Sequence, residues 1–340
     1  MIIYKLKQSE DIKIDFVIPW VDGNDSLWMA ERDKYTPQLQ EDNREERYRD
    51  WDTLRYWFRG VEKFAPWVNK IYFITWGHLP EWLDTRNKKL VIVNHKDFIP
   101  SEYLPIFNVN PIEMNLHKIS GLAEHFVYFN DDTFVISRMC KRDFFQKGLP
   151  CETAALNVHC VDAHVNNYIA LQAVEIINKY FELRKTLKRY WRKWFNPRNG
   201  INVFRTIYLL PCPRFPGIYQ THLPTAFLKS TFDTLWNLES NLLKETVSHK
   251  FRHKLDCNQW IFKNWQLASG MFVPRNSCVG KSFAIDGKNI FDIEKYIIKQ
   301  KGKMICINDN FLTNNEFDAY RNRIIKAFER ILPEKSRYEK

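Results

Sequence analysis

Continuous apolar blocks punctuate the first part of the chain. Asp15–Pro19, Lys70–Thr75, Lys89–Asn94 and Phe126–Asn130 read as short strands covered on both faces, the pattern of a buried sheet. Between them, apolar residues recur at helical spacing. Over Asp52–Phe64 they are Leu54, Trp57, Phe58, Val61 and Phe64. Over Pro111–Glu124 they are Ile112, Leu116, Ile119 and Leu122, with the proline near the helix start. Strands alternating with helices predict an α/β fold with a mostly parallel sheet.

The pattern then changes. Val165–Phe195 has the spacing of one long helix whose last part interleaves cations with aromatics. Arg184, Lys185, Lys188, Arg189, Arg192 and Lys193 lie beside Tyr190, Trp191, Trp194 and Phe195. Pro197 and Gly200 stop the helix. A stretch with Pro211, Pro213 and Pro216 leads into Gln220–Pro224, and a further helix is predicted over Phe227–Val247. A short strand, Met304–Ile307, closes the pattern. No internal repeat or low-complexity tract interrupts it.

Three of the strands run into carboxylates. Ile14–Pro19 leads to Trp20-Val21-Asp22-Gly23-Asn24-Asp25, His125–Phe129 to Asn130-Asp131-Asp132, and Met304–Ile307 to Asn308-Asp309. Strand ends of an α/β sheet feed ligand sites at its carboxyl edge, so such junctions point to one shared site for a nucleotide phosphate held with a metal ion. Asp131 and Asp132 offer the hard oxygens that suit Mg²⁺ or Mn²⁺ with substrate phosphates, or else form a turn satisfying its own backbone. The loop around Asp22, Gly23 and Asp25 lets backbone approach a ligand closely, or is an ordinary Asp-Gly turn. His222, between Thr221 and Leu223-Pro224, is placed to accept a proton near neutral pH, although a lone histidine is more often structural. Arg252, His253 and Asp256 form a compact polar cluster; the arginine fork matches phosphate, and a salt-bridged surface helix is the plain alternative.

Composition narrows the class. The chain has 340 residues, 45% hydrophobic and 15% aromatic, enough for a sizeable core. No apolar run approaches the ~18 residues of a membrane span. Met1–Lys7 is too short and too charged for a signal peptide, so the cytoplasm is the expected compartment. The 7 cysteines are odd in number and include no C-x-x-C, which argues against a disulfide framework or a zinc site. With 51 basic and 40 acidic residues the formal charge is +11, which favours an anionic partner without choosing one. Walker A, G-x-G-x-x-G, G-x-S-x-G and H-E-x-x-H motifs are absent.

Taken together, several blocks resemble one family. Ile14–Asp25 is similar to the opening block of the Stealth proteins. Arg49–Val68 continuing to Asn130-Asp131-Asp132 resembles their second block. Gln220–Pro224 through Arg252 to Gln259 resembles the third, and Cys306–Asn310 the short fourth. The blocks occur in the family's order across almost the whole chain. The family includes bacterial capsular polysaccharide phosphotransferases and the lysosomal-enzyme N-acetylglucosamine-1-phosphotransferase. The resemblance implies transfer of a hexose 1-phosphate from a nucleotide diphosphosugar, a UDP-hexose or UDP-N-acetylhexosamine, to a hydroxyl of an oligosaccharide or polysaccharide acceptor. A phosphodiester forms and nucleoside monophosphate leaves.

It also implies a glycosyltransferase-A-like nucleotide-sugar-binding core, with Mg²⁺ or Mn²⁺ as cofactor. His222, Arg252, Asp131 and Asp132 are then catalytic, and the two aspartates are metal ligands. Asp22, Gly23, Asn24, Asp25, Asn130, Asp256 and Asp309 are expected around the donor. Residues 1–160 would be the nucleotide-sugar-binding part, 161–200 a basic helical insertion and 201–340 the rest of the catalytic core. The insertion matches no family block. It fits a solvated helix, a track for a phosphate-bearing polymer, or a peripheral contact at the inner face of the cell membrane. An ordinary glycosyltransferase releasing nucleoside diphosphate, and a non-enzymatic polyanion-binding module, are the alternative readings. The carboxylate junctions argue against that module, because acidic clusters repel polyanions unless a metal is present, and nucleic acid is not expected as a partner.

Overall fold

Asp15 sits in the middle of an apolar run, and its surroundings explain why. Its carboxylate is fully buried and accepts from Asn69 Nδ2 (2.7 Å), the backbone N–H of Lys70 (3.1 Å) and that of Ala123 (2.8 Å). One side chain thus ties together the entries of three neighbouring strands. The computed structural model describes residues 12–35, 50–160, 165–286, 288–309 and 314–340. Met1–Lys7, and Arg49 and Asn310 at the ends of two of the blocks quoted above, lie outside the described residues.

In chain order the strands are β1 (Ile14–Pro19), β2 (Ile71–Thr75), β3 (Leu90–Asn94), β4 (His125–Tyr128), β5 (Thr133–Val135), β6 (Phe145–Gln146), β7 (Leu149–Glu152), β8 (Thr225–Leu228), β9 (Val273–Pro274), β10 (Gly280–Ala284) and β11 (Met304–Asn308). The helices are α1 (Ser26–Asp33), α2 (Leu54–Phe64), α3 (Val109–Asn115), α4 (Lys141–Phe144), α5 (Val165–Tyr180), α6 (Leu183–Arg189) and α7 (Trp191–Trp194), then α8 (Asn202–Tyr208), α9 (Lys229–Leu238), α10 (Ser240–Ser248), α11 (Trp260–Ala268), α12 (Ile290–Ile298) and α13 (Asn314–Ile331). The central sheet has the order β3-β2-β1-β4-β8. Its first four strands are parallel, and β8 runs antiparallel to β4. The chain is therefore α/β with a mostly parallel sheet, as the alternating pattern predicts.

Both faces of the sheet are covered. Ile14, Phe16 and Ile18 of β1 face a core shared with Trp57 and Phe58 of α2 and Phe328 of α13. Val17 faces the opposite core, with Met114 of α3, Phe232 of α9 and Phe262 of α11. This two-sided burial makes β1 read as a continuous apolar run, and each buried large side chain contributes roughly 1.5–3 kcal/mol. Gly60 on α2 has a packing role. A Cβ there would lie 2.5 Å from the carbonyl oxygen of Val135. Glycine lets α2 press against β5, the strand that follows Asp132.

Several predicted elements change. The helix expected over Pro111–Glu124 ends at Asn115; a 3₁₀ turn, Leu116–Lys118, follows. The helix expected over Val165–Phe195 is three helices, broken where Glu182 becomes extended and again at Tyr190. The expected Phe227–Val247 helix begins instead as strand β8, and then splits into α9 and α10. The aromatics of the basic segment also divide. Trp194 is fully buried and Tyr190 and Phe195 pack against the same small core, whereas Trp191 is exposed. Among the described residues no helix is long and apolar enough to cross a membrane.

Candidate active site

The sheet order reverses direction between β1 and β4, and a cleft of about 670 Å³ opens there at the strands' carboxyl ends. This is where an open α/β sheet leaves room for a ligand. Pro19, Trp20 and Val21 line it from the end of β1, and Asn130, Asp131 and Asp132 from the end of β4. Thr133 donates both its backbone N–H (3.1 Å) and its hydroxyl (2.7 Å) to the carbonyl of Asn130. That tight turn fixes the direction of the two aspartates.

Two further segments reach the same edge because of strand direction. β11 pairs antiparallel with β5, Cys306 opposite Thr133, so the end of β11 lies beside Asp132. Asp309 therefore enters the cleft from a second sheet. β8 is antiparallel to β4, Thr225 opposite Tyr128, so the residues before β8 arrive at the end of β4. Those residues include His222, held at φ 49° and standing edge-on to Trp260 at 5.4 Å. Arg252, Gln259 and Lys263 supply the opposite wall.

The remaining expected residues lie outside the lining. Asp25 caps α1 by accepting from Trp28 N (2.7 Å), and Asp22 accepts from Asn24 N (2.9 Å) while its own N–H meets His78 Nε2 (2.8 Å). The two carboxylates shape the Asp22-Gly23-Asn24-Asp25 loop, which continues from Val21 of the lining. Asp256 also lies outside the lining. It is 0% exposed and its carboxylate accepts from Asn108 Nδ2 (2.8 Å), Asn110 Nδ2 (2.9 Å), His253 N (3.1 Å) and His249 Nδ1 (2.7 Å). Asn108 and Asn110 do line the cleft.

The electrostatics are unusual for exposed aspartates. Asp131 opens to the water of the cleft but is walled by protein, and that burial raises its pKa, against the pull of the Arg252 charge. Burial, then repulsion from Asp131, pushes Asp132 up to about 7. Asp132 Oδ1 is a buried acceptor with no hydrogen-bond partner. A crowded carboxylate pair with an unpartnered oxygen is a fit for a divalent cation, which would relieve both the repulsion and the orphaned acceptor. The other metal-like grouping among the described residues is His249, His253 and Asp256. Its carboxylate is already saturated by the donors above.

His222 has a pKa lowered by burial and by the nearby Lys263 charge, so its imidazole is neutral at pH 7. Lys263 is itself buried, 3.6 Å from Glu152, which also binds Arg275 at 2.8 Å.

Pattern reading missed three cleft residues. Asp50 is pushed up to about 6, chiefly by burial and then by the charges of Asp52, Asp131 and Asp22. Glu113 is pushed up to about 7 by burial, although Gln259 donates to it from both backbone (2.8 Å) and side chain (3.2 Å). Lys263 is the third. The signal for Glu113 and Lys263 is a lone charge inside an otherwise apolar helical stretch.

A parallel α/β sheet whose switch-point cleft gathers paired carboxylates, an arginine and a neutral histidine defines an enzyme, a transferase. Residues 13–40 match Stealth protein CR1, conserved region 1, and residues 47–151 match Stealth protein CR2, conserved region 2. The chain belongs to the Stealth family. It is 43% identical over 331 residues to the capsular polysaccharide phosphotransferase WcwK of Streptococcus pneumoniae, covering 96% of this chain and 98% of that one. It is 38% identical over 333 residues to the receptor polysaccharide phosphotransferase WefC of Streptococcus oralis (96% and 99%). It is also 38% identical over 331 residues to the exopolysaccharide phosphotransferase cps2G of Lactiplantibacillus plantarum (96% of both).

Proposed function

We propose that the protein transfers a hexose 1-phosphate from a nucleotide diphosphosugar to a sugar hydroxyl of a growing cell-surface polysaccharide. The observation that carries this reading is the convergence of Asp131 and Asp132 after β4, Asp309 after β11, His222 before β8 and Arg252 from the loop between α10 and α11 on one cleft. Neutral His222 accepts the proton of the acceptor hydroxyl as that oxygen bonds to the phosphorus bearing the hexose. The bond from that phosphorus to the nucleotide's phosphate oxygen breaks, and nucleoside monophosphate leaves. Positioning and charge neutralisation dominate such a reaction, and Arg252 meets the developing phosphate charge.

Asp131 and Asp132 would hold a Mg²⁺ or Mn²⁺ ion, which supplies charge neutralisation for the donor diphosphate. Asp309 and Asn130 complete the polar wall, Asn108 and Asn110 face the donor on behalf of Asp256, and the Asp22–Asp25 loop shapes the rim. In this reading the core is of glycosyltransferase-A-like type, residues 161–200 form its insertion, and the enzyme works in the cytoplasm in peripheral contact with the cell membrane.

Identifying the released nucleotide tests the reaction. Incubation with a UDP-sugar and a short oligosaccharide acceptor is expected to release UMP. Release of UDP would replace this reading with ordinary glycosyl transfer at the anomeric carbon.

A further inference from the structure

Helix α8 is built inside out. The residues it turns to the protein are polar: Asn202 and Thr206 are buried, and Thr206 Oγ1 accepts the backbone N–H of Leu156 (3.1 Å). Apart from Arg205, the residues it turns to solvent are apolar. Ile201 at the helix start is 78% exposed, Phe204 70% and Tyr208 84%, with Ile207 and Leu210 also exposed. Ile201, Phe204 and Tyr208 follow the spacing that places side chains on one helix face. A soluble helix has the opposite arrangement. Single exposed apolar residues are ordinary, but a set gathered on one short helix marks an interaction surface.

The charges around it say what kind. No Asp or Glu occurs from Leu183 to Phe232. Arg189, Arg192, Arg198, Arg205 and Arg214 are all exposed in this stretch. Trp191 is exposed too, and α7 is tied to the segment before α8 by Asn199 Nδ2, which donates to the carbonyls of Lys193 (2.9 Å) and Trp194 (3.0 Å). An apolar helix face in a stretch of chain that carries cations and no carboxylate complements a surface that is oily beneath and anionic on top. A second copy of this chain would bring the same cations against one another. A polysaccharide phosphate track would use the arginines but has no use for exposed Phe204 and Ile201.

We propose that α8 docks on an anionic lipid surface. Ile201, Phe204, Ile207 and Tyr208 enter the boundary between headgroups and acyl chains, and the flanking arginines meet headgroup phosphates. This deepens the membrane contact in the reading above by giving it an element and a chemistry. It shifts the centre of the contact from the 184–195 segment, where Trp194 is buried and Tyr190 and Phe195 are half-buried, to the helix that follows.

The sedimentation uses the full chain with no donor or acceptor, so the binding outcome is independent of the reaction. The protein is sedimented with vesicles of phosphatidylglycerol and phosphatidylcholine, and with phosphatidylcholine alone. The wild type is expected to pellet with the anionic vesicles, less so as salt rises. The variant Ile201→Ser/Phe204→Ser/Tyr208→Ser is expected to partition on the order of a hundredfold more weakly, with its melting temperature and its turnover on a short soluble acceptor unchanged. The single variant Phe204→Gln provides a milder version and is expected to weaken partition on the order of tenfold. Wild type that stays in the supernatant, or serine and glutamine variants that pellet as wild type does, overturns the proposal. So does lipid-free ultracentrifugation in which wild type self-associates and the serine variant does not, since a second copy then covers the face.

Discussion

The backbone N–H of Ile307 donates to the carbonyl of Asp132 at 2.9 Å. That bond locks the end of β11 to the turn after β4, so two sheets deliver Asp132 and Asp309 to one cleft. The local cost is visible in Asp132, whose carboxylate is raised by burial and by Asp131 and keeps one oxygen unpartnered.

If that pair exists to hold a cation, Asp131→Asn and Asp132→Asn should each lower turnover by at least about a hundredfold, with ΔG of unfolding unchanged or higher in chelator because repulsion is relieved. EDTA should remove turnover from the wild type, and Mg²⁺ or Mn²⁺ should restore it. Wild-type turnover that persists in chelator would remove the metal from the assignment.

His222 is expected to act on the acceptor, so His222→Ala should lose transfer while donor affinity, measured by calorimetry, stays within about twofold. Parallel loss of affinity would make it a donor ligand or a structural residue. The required form is the neutral imidazole. Because its pKa is lowered from 6.5, the His222 contribution should be complete at pH 7 and be lost only as pH drops below that ordinary value.

Lys263 contributes to that lowering. Lys263→Gln removes its charge and should move the acid limb of the kcat profile upward, toward the ordinary histidine value. A purely structural role for Lys263 would lower activity at every pH without moving the limb. Arg275 remains bound to Glu152 at 2.8 Å in this variant, so the buried carboxylate keeps a counter-charge.

Asp256→Ala should be severely destabilising, by about 3–5 kcal/mol in denaturant unfolding, because it strands buried donors from Asn108 and Asn110 and from the backbone of His253. Asp256→Asn keeps the shape and one acceptor oxygen and should cost clearly less. Equal, small losses for both variants would mean that Asp256 is not the anchor.

The sequence pattern exposes what is local. β1, β2, β3 and β4 read correctly because burial on both faces leaves a continuous apolar run, and all three strand-to-carboxylate junctions could be seen, two of which supply carboxylates to the cleft lining. Direction and pairing are not local. Thr225–Leu228 is too short to distinguish a strand from the start of a helix, yet its antiparallel pairing with β4 is what brings His222 to the cleft that Asp131 lines. The same blindness applies to Asp22, Asp25 and Asp256. Nothing in their spacing shows that neighbouring groups fill the Asp256 carboxylate and engage one oxygen each of Asp22 and Asp25. Nor does helical periodicity show that the apolar residues of α8 face outward, since amphipathic spacing gives a face but not its orientation.

Glu113 gives a stability prediction with a definite sign. It is 3% exposed, and burial holds its folded-state pKa at about 7, above the ordinary 4.5. Between those values the folded protein keeps a proton that the unfolded chain has released. Stability from this group is therefore fully present below pH 4.5, declines as pH rises through the window, and levels off above about 7. One proton sets the steepest slope it can add, about 1.4 kcal/mol per pH unit. Glu113→Gln can still accept from the backbone N–H of Gln259 through its amide oxygen, so it should fold. It should also reduce the decline of ΔG of unfolding between pH 5 and 7 by up to that slope, read from denaturant midpoints at constant m. An unchanged pH slope in the variant would show that Glu113 is ionised throughout, with Arg252 and Gln259 outweighing its burial.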